Sequence, residues 1–402
     1  MEVEAEGNID NKGKDEAAKR LPMRRLREID EIRKVDCSGE VVEQQKRMKE
    51  TDADPDDKEM EVWSEEEEYS DIDEEEKKRL NEKYLEFKRI QEEELVQDCL
   101  RNPDRLEDHY AYEAKMFRKD WDSTYGSFGG FGSFDKKTEI PCKRFTYNPA
   151  PRGGAFSDAL QVFYVKVAEL SGGLQFPLEV FGMVALRDSF DYNRNIIFER
   201  ERDNFQKLTD ENPYLALTGP VRAVMIYSPV IFEATLYVKG ATRSNDKELS
   251  LLATSLVLPP RRDSCLIQRS YRSRLSTLDL MLAHLTYSVE ATIRVRVTSG
   301  SWPDGFSCQF VASTNSIDQS VVLLKATTDD QVPLTGDEIN LARQVVSVES
   351  RGNLEVVGSI ENQHGAYTDV TNFKPLKMGT SSKNLNLRCC TLEVTIYWSC
   401  LV

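Results

Sequence analysis

The spacing of apolar residues changes along the chain and separates two regions. In residues 289–297, apolar side chains occupy every second position and polar ones stand between them. This period of two places one set of side chains on each face of a β-strand. The same alternation recurs in 230–238, 354–360 and 390–400. These segments are predicted to be half-buried strands, with Glu290 on a polar face.

Turn signals separate further strand candidates, which lie at 162–168, 178–186, 250–258, 308–312, 321–325 and 345–349. Residues 300–305 carry Pro303 between two glycines, and this turn predicts a hairpin between its flanking strands. Residues 272–283 are compatible with one short helix. Short strands with one apolar and one polar face favour packed antiparallel sheets. We therefore predict a mainly β fold: a two-sheet antiparallel β-sandwich-like domain behind a charged, partly helical and partly disordered N-terminal arm.

Before residue 145 the apolar period is helical. A first stripe, with steps of three and four residues, consists of Leu80, Tyr84, Phe87 and Ile90. Asn102 can cap a second helix, and Pro103 suits its first position. That helix would carry four large side chains on one face: Leu106, Tyr110, Phe117 and Trp121. Such aromatic stripes can dock on the β domain or on a partner, and the sequence leaves both open.

Charge and composition divide the chain into four predicted segments. They are an acidic disordered arm (1–72), a helical segment (73–122), a Gly/Phe linker (123–144) and a β-rich domain (145–402). Residues 1–130 hold 40 acidic and 24 basic residues, whereas the rest holds 29 of each. So highly charged a segment buries too little apolar surface to offset the entropy of ordering it. The Gly, Ser and Phe residues of 126–134 predict a flexible junction.

The charge balance also bears on partners and location. The acidic arm favours a basic protein partner and disfavours nucleic acid and anionic membranes, because phosphate contacts need clustered Lys and Arg. The sequence has no stretch of about 18 apolar residues, so no membrane span is predicted. Met1 is followed by Glu2 and Glu4, so no secretory signal is expected. We expect a cytoplasmic or nuclear protein with reduced cysteines; its oligomeric state is left open.

The sequence offers no motif for a catalytic centre, a metal or a cofactor. The histidines His109, His284 and His364 are far apart, and no pair of metal-ligand spacing accompanies them. No Gly-x-Ser-x-Gly elbow positions a nucleophilic serine. We therefore assign no catalytic residue, cofactor or metal ligand.

One dense polar segment, 187–204, is the candidate site. Its members are Arg187, Asp188, Asp191, Asn193, Arg194, Asn195, Arg200, Arg202, Asp203 and Asn204. They could line a polar pocket in which arginines clamp a carboxylate or phosphate. Alternatively, they form a network of ion pairs at strand ends that positions a long connection. The second interpretation is favoured because no activated nucleophile accompanies them.

The segment also carries a family resemblance. The matching motifs are Phe176-Pro177-Leu178-Glu179-Val180-Phe181-Gly182, Arg187-Asp188, Asn193-Arg194-Asn195, Arg202-Asp203-Asn204, Leu217-Thr218-Gly219-Pro220 and Gly300-Ser301-Trp302-Pro303-Asp304-Gly305-Phe306. They resemble an uncharacterised domain family expanded in cereal grasses. The resemblance implies a β-rich domain, often behind a charged arm, with no established activity.

Some members of that family are joined to a ribosome-inactivating N-glycosidase in jasmonate-induced proteins, which implies a stress or defence context. Glycosidase activity itself is not expected here. Glu16-Ala17-Ala18-Lys19 is only faintly like the catalytic helix motif, because Lys19 replaces the expected arginine.

Two functional hypotheses follow. The first is a non-enzymatic protein-interaction module whose acidic arm recruits a partner. The alternative is a ligand-binding protein or enzyme that uses the polar segment 187–204. Convergence of those side chains on a cleft would favour the alternative, and pairing among themselves would count against it.

Overall fold

Antiparallel strands make up most of the fold. The computed structural model describes residues 79, 82, 86, 108–126, 130–150, 154–258, 261–303, 305–328, 330–363 and 365–402. Predictions for the acidic arm, for the first aromatic stripe, for the helix start at Asn102 and for His364 lie outside the described residues.

The described helical elements are α1 (His109–Trp121), a π-helical turn (Asp122–Gly126) and two short 3-10 turns (Arg202–Asn204 and Arg243–Asn245). The strands are β1 (Ser157–Leu170), β2 (Leu178–Arg187), β3 (Asn195–Arg200), β4 (Gln206–Leu208), β5 (Val224–Met225), β6 (Val230–Val238), β7 (Lys247–Leu256), β8 (Cys265–Arg272), β9 (Ser276–Gly300), β10 (Ser307–Thr314), β11 (Ile317–Ala326), β12 (Leu334–Thr335), β13 (Glu338–Ile339), β14 (Val345–Glu349), β15 (Leu354–Asn362), β16 (Gly365–Phe373), β17 (Met378–Asn386) and β18 (Cys390–Ser399). In the described part of the chain, no helix is long and apolar enough to cross a membrane.

The strands form three sheets. A five-stranded sheet has the order β3-β2-β6-β7, with β4 also paired to β2, and a four-stranded sheet has the order β11-β10-β15-β16. The nine-stranded sheet is built around the 25-residue β9. The prediction of a mainly β fold of packed antiparallel sheets is confirmed, and the structure resolves it into three sheets rather than two.

Strand β9 is long enough to have several successive partners on each side. Ser288 pairs with Ser157 of β1 and with Glu349 of β14, so β1 and β14 lie on opposite sides of β9. Ala291 pairs with β14 and β18 in the same way. One side of β9 therefore carries β1 and then β18, and the other carries β8 and then β14 and β13.

The two smaller sheets cover opposite faces of the nine-stranded sheet. Leu278, Leu280 and Leu282 of β9 belong to a core shared with the five-stranded sheet. Ala283 and Leu285 belong to a second core shared with the four-stranded sheet. Because successive side chains of a strand point to opposite faces, the change from even to odd positions places these cores on opposite faces.

Two local predictions are wrong. Strands β9 and β10, which flank residues 300–305, lie in different sheets and do not form a hairpin. Cys390 of β18 pairs with Gly300, so β18 takes the place beside the end of β9. Residues 272–283 form the end of β8 and the start of β9 rather than a helix. There the leucines at every second position outweigh helical propensity.

Helix α1 docks on the β domain. The Asp108 carboxylate caps it, accepting the Ala111 amide at 3.0 Å, and its other oxygen accepts the Arg274 amide at 2.7 Å. Tyr110 meets Tyr271 of β8 edge to face, with ring centroids 5.4 Å apart. Trp121 is fully buried. The described part of the second aromatic stripe therefore packs within this unit.

Candidate functional site

The ten predicted polar residues begin where β2 ends. Arg187 is the last residue of β2, Asp188 to Arg194 form the connection, Asn195 and Arg200 bound β3, and the last three form the 3-10 turn. The structure brings most of the connection together with partners from other strands. Arg202, Asp203 and Asn204 stand apart from them.

Asp188 and Arg222 form a buried ion pair. Arg222 donates to the two Asp188 oxygens at 2.6 and 2.8 Å, and the Asp188 carboxylate also accepts the Met225 amide at 2.9 Å. A third bond from Arg222 reaches Asp191 at 3.2 Å. Burial lowers the pKa of Arg222, but the bonds to Asp188 raise it. The net shift of the pKa is upward. Thr138 donates to Asp191 at 2.6 Å, which ties the predicted linker to this pair.

A second network surrounds Arg187. Its guanidinium donates to Glu233 at 2.8 Å and to the Phe134 carbonyl at 2.7 Å. Arg194 donates to the same Glu233 at 2.6 Å and to Asp135 at 2.8 Å. Because Arg187 is fully buried, desolvation lowers its pKa, although Glu233 opposes this shift.

Aromatic rings enclose this second network. The Arg187 guanidinium lies 4.6 Å from the ring centroids of both Trp121 and Phe134. Arg118 and Arg194 also lie over the Phe134 ring. Such cation–π contacts gain strength when they are shielded from water. The network therefore fastens the end of α1 and residues 134–135 to the five-stranded sheet.

One side-chain amide of the cluster, Asn195, forms hydrogen bonds to the backbone of a neighbouring segment. Asn195 is buried; it donates to the Arg222 carbonyl and accepts the Val221 amide, each at 2.9 Å. The Asn193 side-chain oxygen and the Arg200 Nε are buried without a hydrogen-bond partner among the described residues. The contacts of Asn195 therefore fix the backbone of 221–222 beside the start of β3.

The remaining members form a separate surface group. Arg202 donates to Asp246 at 2.8 Å and to the Gly240 carbonyl at 2.8 Å. The bond between Arg202 and Asp246 raises the pKa of Arg202 and lowers that of Asp246. Asp203 and Asn204 are exposed.

Two buried polar residues of β9, Glu290 and His284, make polar contacts beyond the predicted cluster. Glu290, placed on a polar face by its alternation, is buried and accepts the Lys143 and Ala223 amides at 2.7 and 2.8 Å. Desolvation raises its pKa. His284 meets Asp158 at 2.7 Å through Nε2, whereas its buried Nδ1 has no partner among the described residues.

Sequence reasoning missed three partners of the cluster, Arg222, Glu233 and Asp135, and also the nearby Glu290. They lie outside the cluster in sequence, so its density could not reveal them. Glu233 gave a local signal, because it is the only charged residue among the apolar positions of β6. Within the described residues, no group of three or more His, Cys, Asp or Glu side chains could hold a metal ion.

A cleft of about 540 Å³ lies elsewhere, between α1 and β7. Its helix wall consists of Asp108, Ala111, Tyr112 and Lys115, and its strand wall of residues 247–251. Arg274 and Leu275 also line it. No member of the ten-residue cluster lines this cleft, which we call the α1–β7 groove.

Comparison with known proteins adds a family. Residues 159–396, more than half of the chain, match a family described as "Domain of unknown function (DUF6598)". No curated protein matches the chain.

Some solved structures show a distant likeness. The paired C2 domains of Extended-Synaptotagmin 2 share 9% identity with this chain, at a TM-score of 0.23, over 66% of this chain and 100% of theirs. Human GIVD cytosolic phospholipase A2 shares 9% identity, at a TM-score of 0.22, over 61% of this chain and 31% of its own. Scores this low carry no argument about the fold or function of this chain.

Proposed function

The chain belongs to the family described as "Domain of unknown function (DUF6598)", and we propose that it is a protein-interaction module that binds an extended, acidic segment of a partner. The binding surface is the α1–β7 groove. The observation that carries the proposal is that five consecutive residues of an edge strand line one wall of this groove. The partner's segment adds to the five-stranded sheet as a further strand.

The strand wall is the outermost strand of the five-stranded sheet, and helix α1 packs against part of it. The partner's segment would pair with the part that lines the groove. Strand β7 is the last strand of the order β3-β2-β6-β7, and among the described residues no strand pairs with its outer side. Side chains of a strand alternate between faces, so consecutive residues share a groove only through the backbone edge. An edge presents unpaired amides and carbonyls that an extended peptide can bind. One carbonyl of this strand wall is already engaged, because the Leu249 carbonyl accepts the Ser276 hydroxyl at 2.8 Å.

The helix wall supplies a matching surface. Asp108, Ala111, Tyr112 and Lys115 follow the spacing of one helix face. Two capping bonds hold this wall in place, since the Asp108 carboxylate accepts backbone amides from both α1 and the β8–β9 turn. A preformed groove lowers the entropic cost of ordering a bound segment.

The charges of the groove favour an acidic occupant. Lys115 on the helix wall and Lys247 on the strand wall are exposed and have no ion-pair partner in the described residues. The Asp108 carboxylate is already engaged by two amides. The exposed Glu248 on the strand wall is the other carboxylate of the lining, and Lys115, Lys247 and Arg274 outnumber it. Unpaired ammonium groups on both walls attract carboxylates on either side of an added strand.

The test is binding of a labelled ten-residue peptide that alternates Thr and Glu to the full chain, followed by fluorescence anisotropy. We expect saturable binding that weakens with salt. Reversing either charge, by Lys115→Glu or Lys247→Glu, should weaken binding about fivefold. The matched controls are Lys119→Glu on α1 and Lys207→Glu on β4, which lie outside the groove and should leave binding unchanged.

Two further peptides separate the parts of the proposal. A Thr–Lys peptide should not bind, and equal binding would overturn the acidic preference. A Thr–Glu peptide with central prolines cannot complete a strand ladder and should not bind. If it binds as well as the first peptide, strand addition is wrong.

The biological setting is a separate part of the proposal. The resemblance to a cereal-grass family supports a plant protein that acts in stress or defence, in the cytoplasm or nucleus. The acidic arm, 1–72, would recruit a second, basic partner. Protein levels in leaves before and after jasmonate treatment test the stress context, and unchanged levels would contradict it.

A further inference from the structure

Two cysteines stand next to each other in the turn between β17 and β18. Cys390 is the first residue of β18, and Cys389 precedes it. Their sulfur atoms lie 3.8 Å apart. We propose that Cys389 and Cys390 form a dithiol site that peroxides oxidise to a disulfide between adjacent residues.

The backbone of the turn holds the two thiols together. The Leu387 amide donates to the Cys390 carbonyl at 3.0 Å, and the Cys389 amide donates to the Leu387 carbonyl at 2.6 Å. Arg388, which lies between Leu387 and Cys389, has a positive φ of 60°. This tight turn brings both side chains to one side, and the Cys389 thiol donates to the Leu387 carbonyl at 3.1 Å.

The two thiols have different surroundings. Cys389 is exposed, so a dissolved peroxide can reach it. Cys390 belongs to the core between the nine-stranded and four-stranded sheets and is only 5% exposed. Burial, together with the Cys389 contact, raises the pKa of Cys390 to about 12. Attack on the oxidant therefore falls to Cys389, and Cys390 resolves the product.

The chemistry balances with one peroxide per pair. The Cys389 sulfur attacks a peroxide oxygen, the O–O bond breaks, and a sulfenic acid and one water form. The Cys390 sulfur then attacks the Cys389 sulfur, and the hydroxyl leaves as a second water. The two thiols lose two electrons and two protons, and hydrogen peroxide is reduced to two waters.

The closed form should be easily reduced. Neighbouring Cα atoms lie about 3.8 Å apart across a trans peptide, which is shorter than the span of about 4.4–6.8 Å in ordinary disulfides. Strained disulfides are the labile, regulatory kind. Closure must also shift Cys390, which pairs with Gly300 at the end of β9. A Cβ on Gly300 would lie 2.4 Å from the Cys389 carbonyl oxygen, so the backbones are close there.

The experiment treats the full chain with hydrogen peroxide, blocks free thiols with N-ethylmaleimide and measures peptide masses. In the wild type, the peptide with both cysteines should lose about 2 Da and escape alkylation. Dithiothreitol should restore both reactive thiols. Added oxygen on Cys389 without a disulfide, or a disulfide between two chains, would overturn the proposal.

The variants separate the pair from other thiols. Cys389→Ser is expected to fold, because the residue is exposed, and should abolish the mass loss. Cys142→Ser is the matched control, since that half-buried thiol lies far along the chain from the pair and should not change the result. Phenylarsine oxide, which bridges two thiols, should bind the wild type with one more equivalent than Cys389→Ser. Equal binding would contradict a paired site.

Discussion

Arg222 holds Asp188 through two hydrogen bonds, of 2.6 and 2.8 Å, and both side chains are buried. A buried ion pair is costly to break because the remaining charge stays desolvated. The pair joins the loop after β2 to the segment before β5. It is therefore a structural element of the candidate cluster, and its loss should appear in stability.

Arg222→Met should lower the free energy of unfolding by about 3–5 kcal/mol, because Asp188 would be left buried without its ion-pair partner. Urea unfolding measures this change. Lys137→Met is the matched control, since the Lys137–Glu199 pair is exposed on both sides. That variant should change stability far less. Equal losses in the two variants would contradict the role given to burial.

Glu290 should make stability depend on pH in an unusual direction. Desolvation raises the pKa of the folded carboxyl above its ordinary value of 4.5. The folded state therefore binds this proton more tightly than the unfolded state, and stability falls as pH rises from about 4.5 through the folded pKa.

Glu290→Gln removes this titration. The free energy of unfolding of the wild type minus that of Glu290→Gln should decrease as pH rises above 4.5 and level off above the folded pKa. Urea unfolding at a series of pH values tests this. A difference that rises with pH would contradict the assigned cause.

Arg343 is a buried arginine that donates to three backbone carbonyls. The acceptors are Val162, Gly219 and Phe163, at 2.6, 2.9 and 3.3 Å, and desolvation lowers the pKa of Arg343 to about 10. Arg343→Met should destabilise by about 1–3 kcal/mol for each carbonyl left without a donor. Arg343→Lys should recover part of the loss. If Arg343→Met is as stable as the wild type in urea, the desolvation cost outweighs these bonds and the account is wrong.

Trp121 should control the attachment of α1. Trp121→Ala removes a buried ring that packs on Arg187 and Phe134. Amide exchange in 109–121 should speed up by about a hundredfold, whereas exchange in β6 should not change. Phe181→Ala, which removes the stacking on Tyr237, is the control. Unchanged exchange in α1 would show that other contacts hold the helix.

Much of the fold could be predicted from local pattern. The alternation of 289–297 and 390–400 identified parts of β9 and β18 because burial of one face leaves a period of two. The hairpin after β9 failed because its partner depends on a distant segment. Turn residues at 300–305 indicate a reversal of direction, but only β18, some 90 residues later, decides which strand pairs with Gly300.

The candidate site was predictable in its location and not in its contacts. The charge density of 187–204 indicated a network, and the structure shows Arg187, Asp188 and Arg194 in ion pairs. Their partners Arg222 and Glu233 come from other segments, which no spacing rule connects. The α1–β7 groove left no sequence signal, because it depends on which strand ends the sheet.

The most direct test of the proposed function is amide hydrogen exchange in β7 with and without the Thr–Glu peptide. Strand addition should slow exchange in 247–251 by about tenfold or more, because new backbone hydrogen bonds protect the edge. Lys247→Glu should reduce this protection at the same peptide concentration. If the peptide binds while exchange in 247–251 stays unchanged, the segment binds elsewhere and the α1–β7 groove is not the interaction site.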